Sequence, residues 1–314
     1  MTQGIDFSVQ NSISGEDKVY LLFLFALVTF IWGLLATPVS IGLAKKFRLL
    51  DKPGGRKKHH SIMPRGAGLV LWSGYLLWAL FTGNSGVEVP FIATGATFVF
   101  LVGYMDDMHP LPPILRLVFH LISALWITLP LPLPIWQRLL LSIWIAGVTN
   151  AFNMIDGMDG LCLSMTLVTC LSVLLNLRIL NFWLPFAALV FGVLLWNFPT
   201  PRTFLGDGGS TLLGYVCASH LAWSVFSDIY NMNVVYLSFL LVLIGGVPVI
   251  DTLVAMIRRV LTGHSPFLPD RGHAHHRLQD LGLSKVTTLV VMSTFHLIMV
   301  STGIGIISSR FLLR

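Results

Sequence analysis

The sequence predicts an all-α integral membrane protein of about ten spanning helices, and three observations lead there. Residues of the AVILMFWYC set make up 55% of the 314-residue chain. Charged residues make up 11%, less than half the roughly 25% usual for soluble globular domains. Apolar runs also recur along the whole chain at close to the roughly 17 to 25 residues needed to cross a hydrocarbon layer about 30 Å thick. A mean hydropathy of +0.79 agrees, and a soluble enzyme is excluded.

In chain order the first apolar segment covers 18–43. Its leader, MTQGIDFSVQNSISGED, is polar and acidic, unlike the basic start of a cleaved signal peptide, so this segment is expected to be retained. Segments at 66–83, 87–104, 112–129 and 133–149 follow. Pro130, Pro132 and Pro134 separate the last two, which also read as one interrupted segment. The remaining five are 160–180, 182–198, 209–226, 234–257 and 286–308. No connection is long enough for a soluble domain, so 1–314 reads as one polytopic unit, with loops at 44–65, 105–111, 150–159, 199–208 and 258–285. Of the 20 Lys and Arg, all but Lys18, Arg138, Arg178, Arg310 and Arg314 fall on one set of alternate connections. Positive charge favours the cytoplasmic side, which places these loops inside and both termini outside. Asp51, Asp106, Asp107, Asp156, Asp159, Asp207, Asp270 and Asp280 sort to the same side, and Asp251 lies within the ninth span. Cys162, Cys170 and Cys217 fall inside spans without any CxxC spacing, and read as packing residues.

Five segments on that side carry chemistry. Asp106 and Asp107, in GYMDDMHP, are adjacent carboxylates that repel; near a membrane they require a cation, a proton or a basic partner, and Arg116 is the nearest basic residue. A solvated helix end is the plain alternative. In TNAFNMIDGMDGLCLS, Asn150, Asn153, Asp156 and Asp159 are spaced by three, a polar stripe if helical. Four oxygen-bearing side chains suit a hard cation such as Mg²⁺ or the hydroxyls and amides of a ligand, whereas helix capping explains only one of them. In WNFPTPRTFLGDGGS, glycines surround Asp207 at a helix start, where free N–H groups and the dipole suit phosphate. In PDRGHAHHRLQD, Arg271, His273, His275, His276 and Arg277 favour an anionic ligand over zinc. The basic loop LLDKPGGRKKHHSIMPRGAG serves orientation, anionic lipid, or a polyphosphate substrate. Asp251 in GGVPVIDTLVAMIRR faces the protein interior, with Arg258 about two turns on as a candidate partner.

The ordered set DDM, NAFNMIDGMDG, FLGDGGS and GHAHH resembles the polyprenyl-phosphate N-acetylhexosamine-1-phosphate transferases, over about residues 45–285. The HAHH form resembles the branch that starts O-antigen, enterobacterial common antigen or teichoic acid linkage units on undecaprenyl phosphate; Ala274 interrupts the three adjacent His usual in the phospho-MurNAc-pentapeptide branch. The resemblance implies transfer of HexNAc-1-phosphate from a UDP-sugar to undecaprenyl phosphate with release of UMP and with Mg²⁺, or Mn²⁺, as cofactor. It implies Asp207 and Asn153 at the metal, and Asp106, Asp107 and Asp156 as catalytic. It implies Asp159, Asn197 and Phe204 at the nucleotide, Arg271, His273, His275 and His276 at the phosphates, and Arg116 beside the lipid phosphate. A homodimer in the bacterial cytoplasmic membrane is also implied, with no nucleic-acid partner. PRGAG at 64–68 is a loose version of the family segment, so Arg65 receives no nucleotide role.

Three other classes fit less well. CDP-alcohol phosphotransferases need DGxxAR, and DGMDGL lacks its Ala-Arg. A cation-coupled transporter would explain Asp251, but such proteins gather polar groups near the midplane, whereas here they collect at one face. An intramembrane aspartyl protease needs GxGD, and Phe204 occupies its first glycine.

Overall fold

The computed structural model describes residues 15–51, 62–82, 88–268 and 272–309. Within them the chain forms eleven α-helices and one short antiparallel ladder. The helices are α1 (Gly15–Lys46), α2 (Ala67–Thr82), α3 (Glu88–Met108), α4 (Pro113–Thr128), α5 (Ile135–Ile155), α6 (Leu161–Asn176), α7 (Leu180–Asn197), α8 (Gly206–Ile229), α9 (Val234–Leu261), α10 (Ala274–Asp280) and α11 (Lys285–Ser309). The ladder pairs β1 (Leu50–Asp51) with β2 (Met63–Pro64) and closes the connection between α1 and α2.

All helices except α10 fall on the ten apolar segments in order. Six are long and apolar enough to cross a membrane: α1 from Val19 onward, α3, α5, α7, α9 and α11. Three more, α2, α4 and α6, are apolar but shorter. The exception is α8, whose small and polar side chains are covered by other helices. It packs against α2, α3, α5, α6 and α11 and is buried from Gly208 through Ala222.

Boundaries move where the site lies. Helix α3 continues to Met108, so Asp106 and Asp107 stand on its last turn and not in a loop. Helix α5 stops at Ile155, with Asp156 as its C-cap, which ends the three-residue stripe: Asn150 and Asn153 stand on the helix, while Asp159 sits in the following turn. The proline-rich segment is a true corner, because Leu131 and Leu133 turn inward and are 2% and 4% exposed. Part of the 258–285 connection folds as α10. The three cysteines are buried and unbridged.

Antiparallel alternation gathers the carboxylates. Helices α3, α5, α7 and α9 end on the face where α2, α4, α6, α8 and α11 begin, as the cross-links described below establish. Close helix approach there depends on glycine. A Cβ on Gly103 of α3 would lie 2.7 Å from Asp207 O and from Gly208 Cα of α8, both backbone atoms that cannot swing aside. Gly103→Ala is therefore expected to force α3 and α8 apart at a cost of about 1–3 kcal/mol. The check is thermal unfolding in detergent, in which an unchanged midpoint would show that the contact is not tight.

Candidate active site

The two adjacent aspartates at the end of α3 face different ways. Asp106 Oδ1 accepts from the Leu111 backbone N–H at 2.5 Å, and its Oδ2 accepts from Arg116 Nη1 at 2.5 Å. The same Arg116 nitrogen reaches Asp207 Oδ2 at 3.0 Å, so one guanidinium on α4 joins α3 to α8. Asp107 turns to the N-terminus of α8. Its carboxylate accepts from the backbone N–H of Asp207 at 3.0 Å and of Gly208 at 3.2 Å, capping a helix that has no side-chain cap of its own. Arg65 completes it, donating to Asp107 at 2.6 Å and to Asp51 of β1 at 2.5 Å.

Sequence reasoning foresaw Arg116 as the basic partner but gave Arg65 no nucleotide role and did not pair it with the aspartates. The signal for Arg65 was available only as a lone cation two residues ahead of α2, and nothing in that spacing points to Asp107. The short ladder supplies the missing step: it returns the chain so that Arg65 pairs in parallel with Phe204, just ahead of α8.

The second cluster follows α5. Asn153 Oδ1 accepts from Ser210 Oγ of α8 at 3.3 Å, which brings Asn153 to the helix that carries Asp207. Asp156 is half-buried and caps α5 at its C-terminal end; the N-cap of α6 is Gly160, without a side-chain bond, so neither aspartate of DGMDG caps α6. Asp159 meets Lys285 Nζ of α11 at 2.7 Å, a partner that sequence reading did not foresee. Asn197 is 4% exposed and engages both ends of its amide: Oδ1 accepts from Gly160 N at 2.7 Å, and Nδ2 donates to Thr203 O at 2.8 Å. It braces the starts of α6 and α8. Phe204 is half-buried and holds the α2 approach through its backbone, its N–H donating to Pro64 O at 2.9 Å.

The histidine segment arrives from the other side. Asp251 of α9 accepts from His273 Nδ1 at 2.7 Å and from Ala274 N at 2.8 Å. Its expected partner Arg258 instead donates to Gly272 O at 2.9 Å, because a seven-residue spacing does not bring the two side chains together as closely as the folded-back loop does. Arg259 is 4% exposed, binds Pro266 O at 2.7 Å, and stands 3.5 Å from His273 Nε2. His275 lies over the Asp156–Asp159 turn, where a Cβ on Gly157 would be 2.6 Å from its Nε2; this is what the first glycine of DGMDG provides. Arg271 lies outside the described residues.

One cavity of about 520 Å³ joins these groups. Arg116, Asn153, Asp207, Arg259, His273 and His276 line its polar part, and Leu117, Ile143, Val249, Leu253 and Met256 form an apolar wall. Ile143 and Leu253 are exposed on the outside of the bundle, so the wall opens to its outer surface.

Carboxylates outnumber cations here. Asp51, Asp106, Asp107, Asp156 and Asp207 gather around Arg65 and Arg116. Asp207 is consequently pushed up to about 8, by burial first and then by its Asp106 and Asp107 neighbours. With 34% of its side chain open, those neighbouring charges are an essential part of the cause. Asp156 is raised well above the ordinary carboxylate range by burial, then by Asp207, Asp107 and Asp159. Among the described residues no three His, Cys, Asp or Glu are arranged to enclose a metal ion. The donors nonetheless fit Mg²⁺, which is held by one or two carboxylates plus substrate phosphates and keeps several waters: Asp207 is open, oxygen-bearing and short of positive charge.

Residues 89–225 match the family model for Glycosyl transferase family 4, a stretch running from α3 into α8. Over 88% of the chain and 82% of the relative, it is 29% identical to the probable undecaprenyl-phosphate N-acetylglucosaminyl 1-phosphate transferase of Bacillus subtilis. It is 28% identical to the undecaprenyl-phosphate alpha-N-acetylglucosaminyl 1-phosphate transferase of Thermotoga maritima, over 86% of each. The enzyme of that name from Escherichia coli is 26% identical over 83% of this chain and 77% of its own.

The raised carboxylates set a pH dependence. In the folded state Asp207 keeps a proton that the unfolded chain loses, so between the ordinary value of 3.8 and about 8 stability falls as pH rises. Thermal midpoints measured in detergent without divalent ions are expected to drop from pH 5 to pH 8, with a flatter profile in Asp207→Asn. A profile unchanged by that substitution would contradict the assignment.

Proposed function

We infer that the chain is a family 4 glycosyl transferase of the undecaprenyl-phosphate N-acetylglucosaminyl 1-phosphate transferase branch, a multi-pass membrane enzyme that transfers a sugar-1-phosphate to undecaprenyl phosphate. From that premise we propose that its donor is a UDP-N-acetylhexosamine, that UMP leaves, that Mg²⁺ is required, and that the product initiates an O-antigen or another cell-envelope polysaccharide. The observation that carries this reading is one cavity that combines a charged end with an apolar wall open to the outside of the bundle, since the reaction must bring a water-soluble diphosphate to a lipid-borne phosphate.

In this reading all helices except α10, the shorter ones included, cross the cytoplasmic membrane, the cavity faces the cytoplasm, and both termini lie outside. The prenyl chain approaches along Leu117, Ile143, Val249, Leu253 and Met256, and Arg116 receives its phosphate at the junction with the polar end. The donor diphosphate lies towards His275, His276 and Arg259, with Arg271 added from the loop. Asp159 and Phe204 border the nucleotide, and Asn197 acts by bracing their loops. A phosphate oxygen of the acceptor attacks the sugar-bearing phosphorus; the bond from that phosphorus to the UMP oxygen breaks, and UMP departs with the electron pair. A phosphate monoester with a second pKa near 6 is mostly dianionic at pH 7, so no strong base is needed. Asp106 therefore orients Arg116 rather than taking a proton. Asp107 holds the α8 N-terminus, and Asp156 offers a further carboxyl oxygen beside the metal position. Bound Mg²⁺ would be held by Asp207 with Asn153 nearby, and would supply charge neutralisation between two polyanions. The enzyme acts as a homodimer, and nucleic acid takes no part.

Purified protein in detergent is expected to release UMP from UDP-GlcNAc only when polyprenyl phosphate and Mg²⁺ are both present, and Asp207→Ala to lose at least about a hundredfold in rate. Metal-independent release, or full activity in that variant, would sink the proposal. A panel of UDP-GlcNAc, UDP-GalNAc, UDP-FucNAc and UDP-QuiNAc identifies the preferred sugar.

A further inference from the structure

Helix α9 is broken. Gly246 takes φ 63° and ψ −152° within it, a left-handed φ that L side chains rarely adopt. Pro248 follows two residues later, so it can make no N–H bond of its own. A break of this kind frees backbone groups that must be satisfied inside an apolar bundle. His296 of α11 satisfies one: Val247 N–H donates to His296 Nδ1 at 3.2 Å. On its far side His296 Nε2 lies 2.9 Å from Thr169 Oγ1 of α6, and that hydroxyl lies 3.0 Å from Met165 O, to which it donates.

A single proton arrangement fits the network. The Val247 N–H can only donate, so Nδ1 carries a lone pair and the imidazole proton sits on Nε2. Thr169 directs its own proton to Met165 O, and its oxygen accepts from Nε2–H. His296 is 1% exposed, and a Cβ at Gly246 would collide with its Nδ1, so the glycine and the histidine occupy complementary space. The part of α9 beyond the break carries its active-site residues: Val249, Thr252, Leu253, Met256 and Arg259 line the cavity, and Asp251 holds His273 and the start of α10.

We propose that His296 is a positioning residue: by accepting the Val247 N–H at the α9 break, it sets the direction of the lower half of α9 and so aims Arg259 and the His273–His276 segment at the cavity. The residue touches no substrate. The proposal rests on the transferase reading for its kinetic readout, and a second readout is independent of that reading.

The test compares three substitutions. Asn offers an oxygen near the position of Nδ1 and is expected to retain the Val247 bond and activity close to wild type. Gln places its polar group near Nε2, and Leu has none; both are expected to lower kcat/KM for UDP-GlcNAc by about tenfold to a hundredfold, the scale of a small misplacement. Because His296 and Asp251 act on the same half-helix without touching, His296→Gln and Asp251→Asn should be non-additive in kcat/KM and not in thermal midpoint. The activity-independent readout is the distance distribution between spin labels at Leu261→Cys and Leu281→Cys, which lie at the ends of α9 and α10 and are 81% and 78% exposed; the native cysteines are buried. It should broaden or shift with Leu or, where that variant does not fold, with Gln, and remain as wild type with Asn. Equal activity of the Asn and Gln variants, additive kinetic effects, or an unshifted distribution in both Leu and Gln would overturn the proposal. A wild-type protein without transferase activity would instead remove the functional reading, leaving the labels to decide on His296.

Discussion

The arrangement at this face depends on one interaction, the capping of α8 by a carboxylate from another helix. The first N–H groups of α8 have no intrahelical acceptor, and its N-cap position holds Leu205, whose side chain cannot accept a hydrogen bond. Asp107 supplies the acceptor from α3 and is in turn held by Arg65. Removing the carboxylate would leave two part-buried donors without an acceptor and Arg65 with Asp51 alone, more damaging than losing a solvated ion pair. The same capping interaction brings Asp207 next to Asp106, and from that proximity comes the local excess of negative charge.

That excess is a functional condition as well as a strain. Carboxylates held together in a partly dehydrated site favour a proton or a cation, and Arg116 supplies only part of the compensation. Substrate chemistry between two polyanions calls for a site with the opposite balance when loaded, and the His and Arg groups across the cavity provide it. Two walls of unlike charge, one carboxylate-rich on α3, α5 and α8 and one basic on α9 and α10, therefore face each other. The apolar wall of the same cavity opens to the outside of the bundle.

Much of the fold is legible in the chain because hydrophobicity in a membrane is one-dimensional information: a run of about the right length reads as a helix whether or not its neighbours are known. Ten segments were visible for that reason, including the pair split at Pro130 to Pro134. The helix ends were less legible. Asp106 and Asp107 extend α3 because Asp107 finds partners across the bundle, and the Asn150 to Asp159 stripe stops at Ile155 because the chain must turn into α6. Motif chemistry was legible as residue type: oxygen donors at DD, NMIDGMDG and GDG, and cationic groups at GHAHH. Pairing was not. Arg65 with Asp107, Lys285 with Asp159 and His273 with Asp251 are separated by 42, 126 and 22 residues, and no local periodicity encodes such contacts.

The sequence by itself determined the class of solvent, the order and alternation of the helices, and the face on which charge accumulates, since these follow from composition and from charge counted along the chain. Only the tertiary structure decided which carboxylate caps, which pairs with arginine and which stays open, and where α9 bends. Those outcomes depend on the approach of helices far apart in sequence, through Gly103 against Gly208 and Gly246 against His296, where the absence of a side chain gains meaning only from the atom that fills its place.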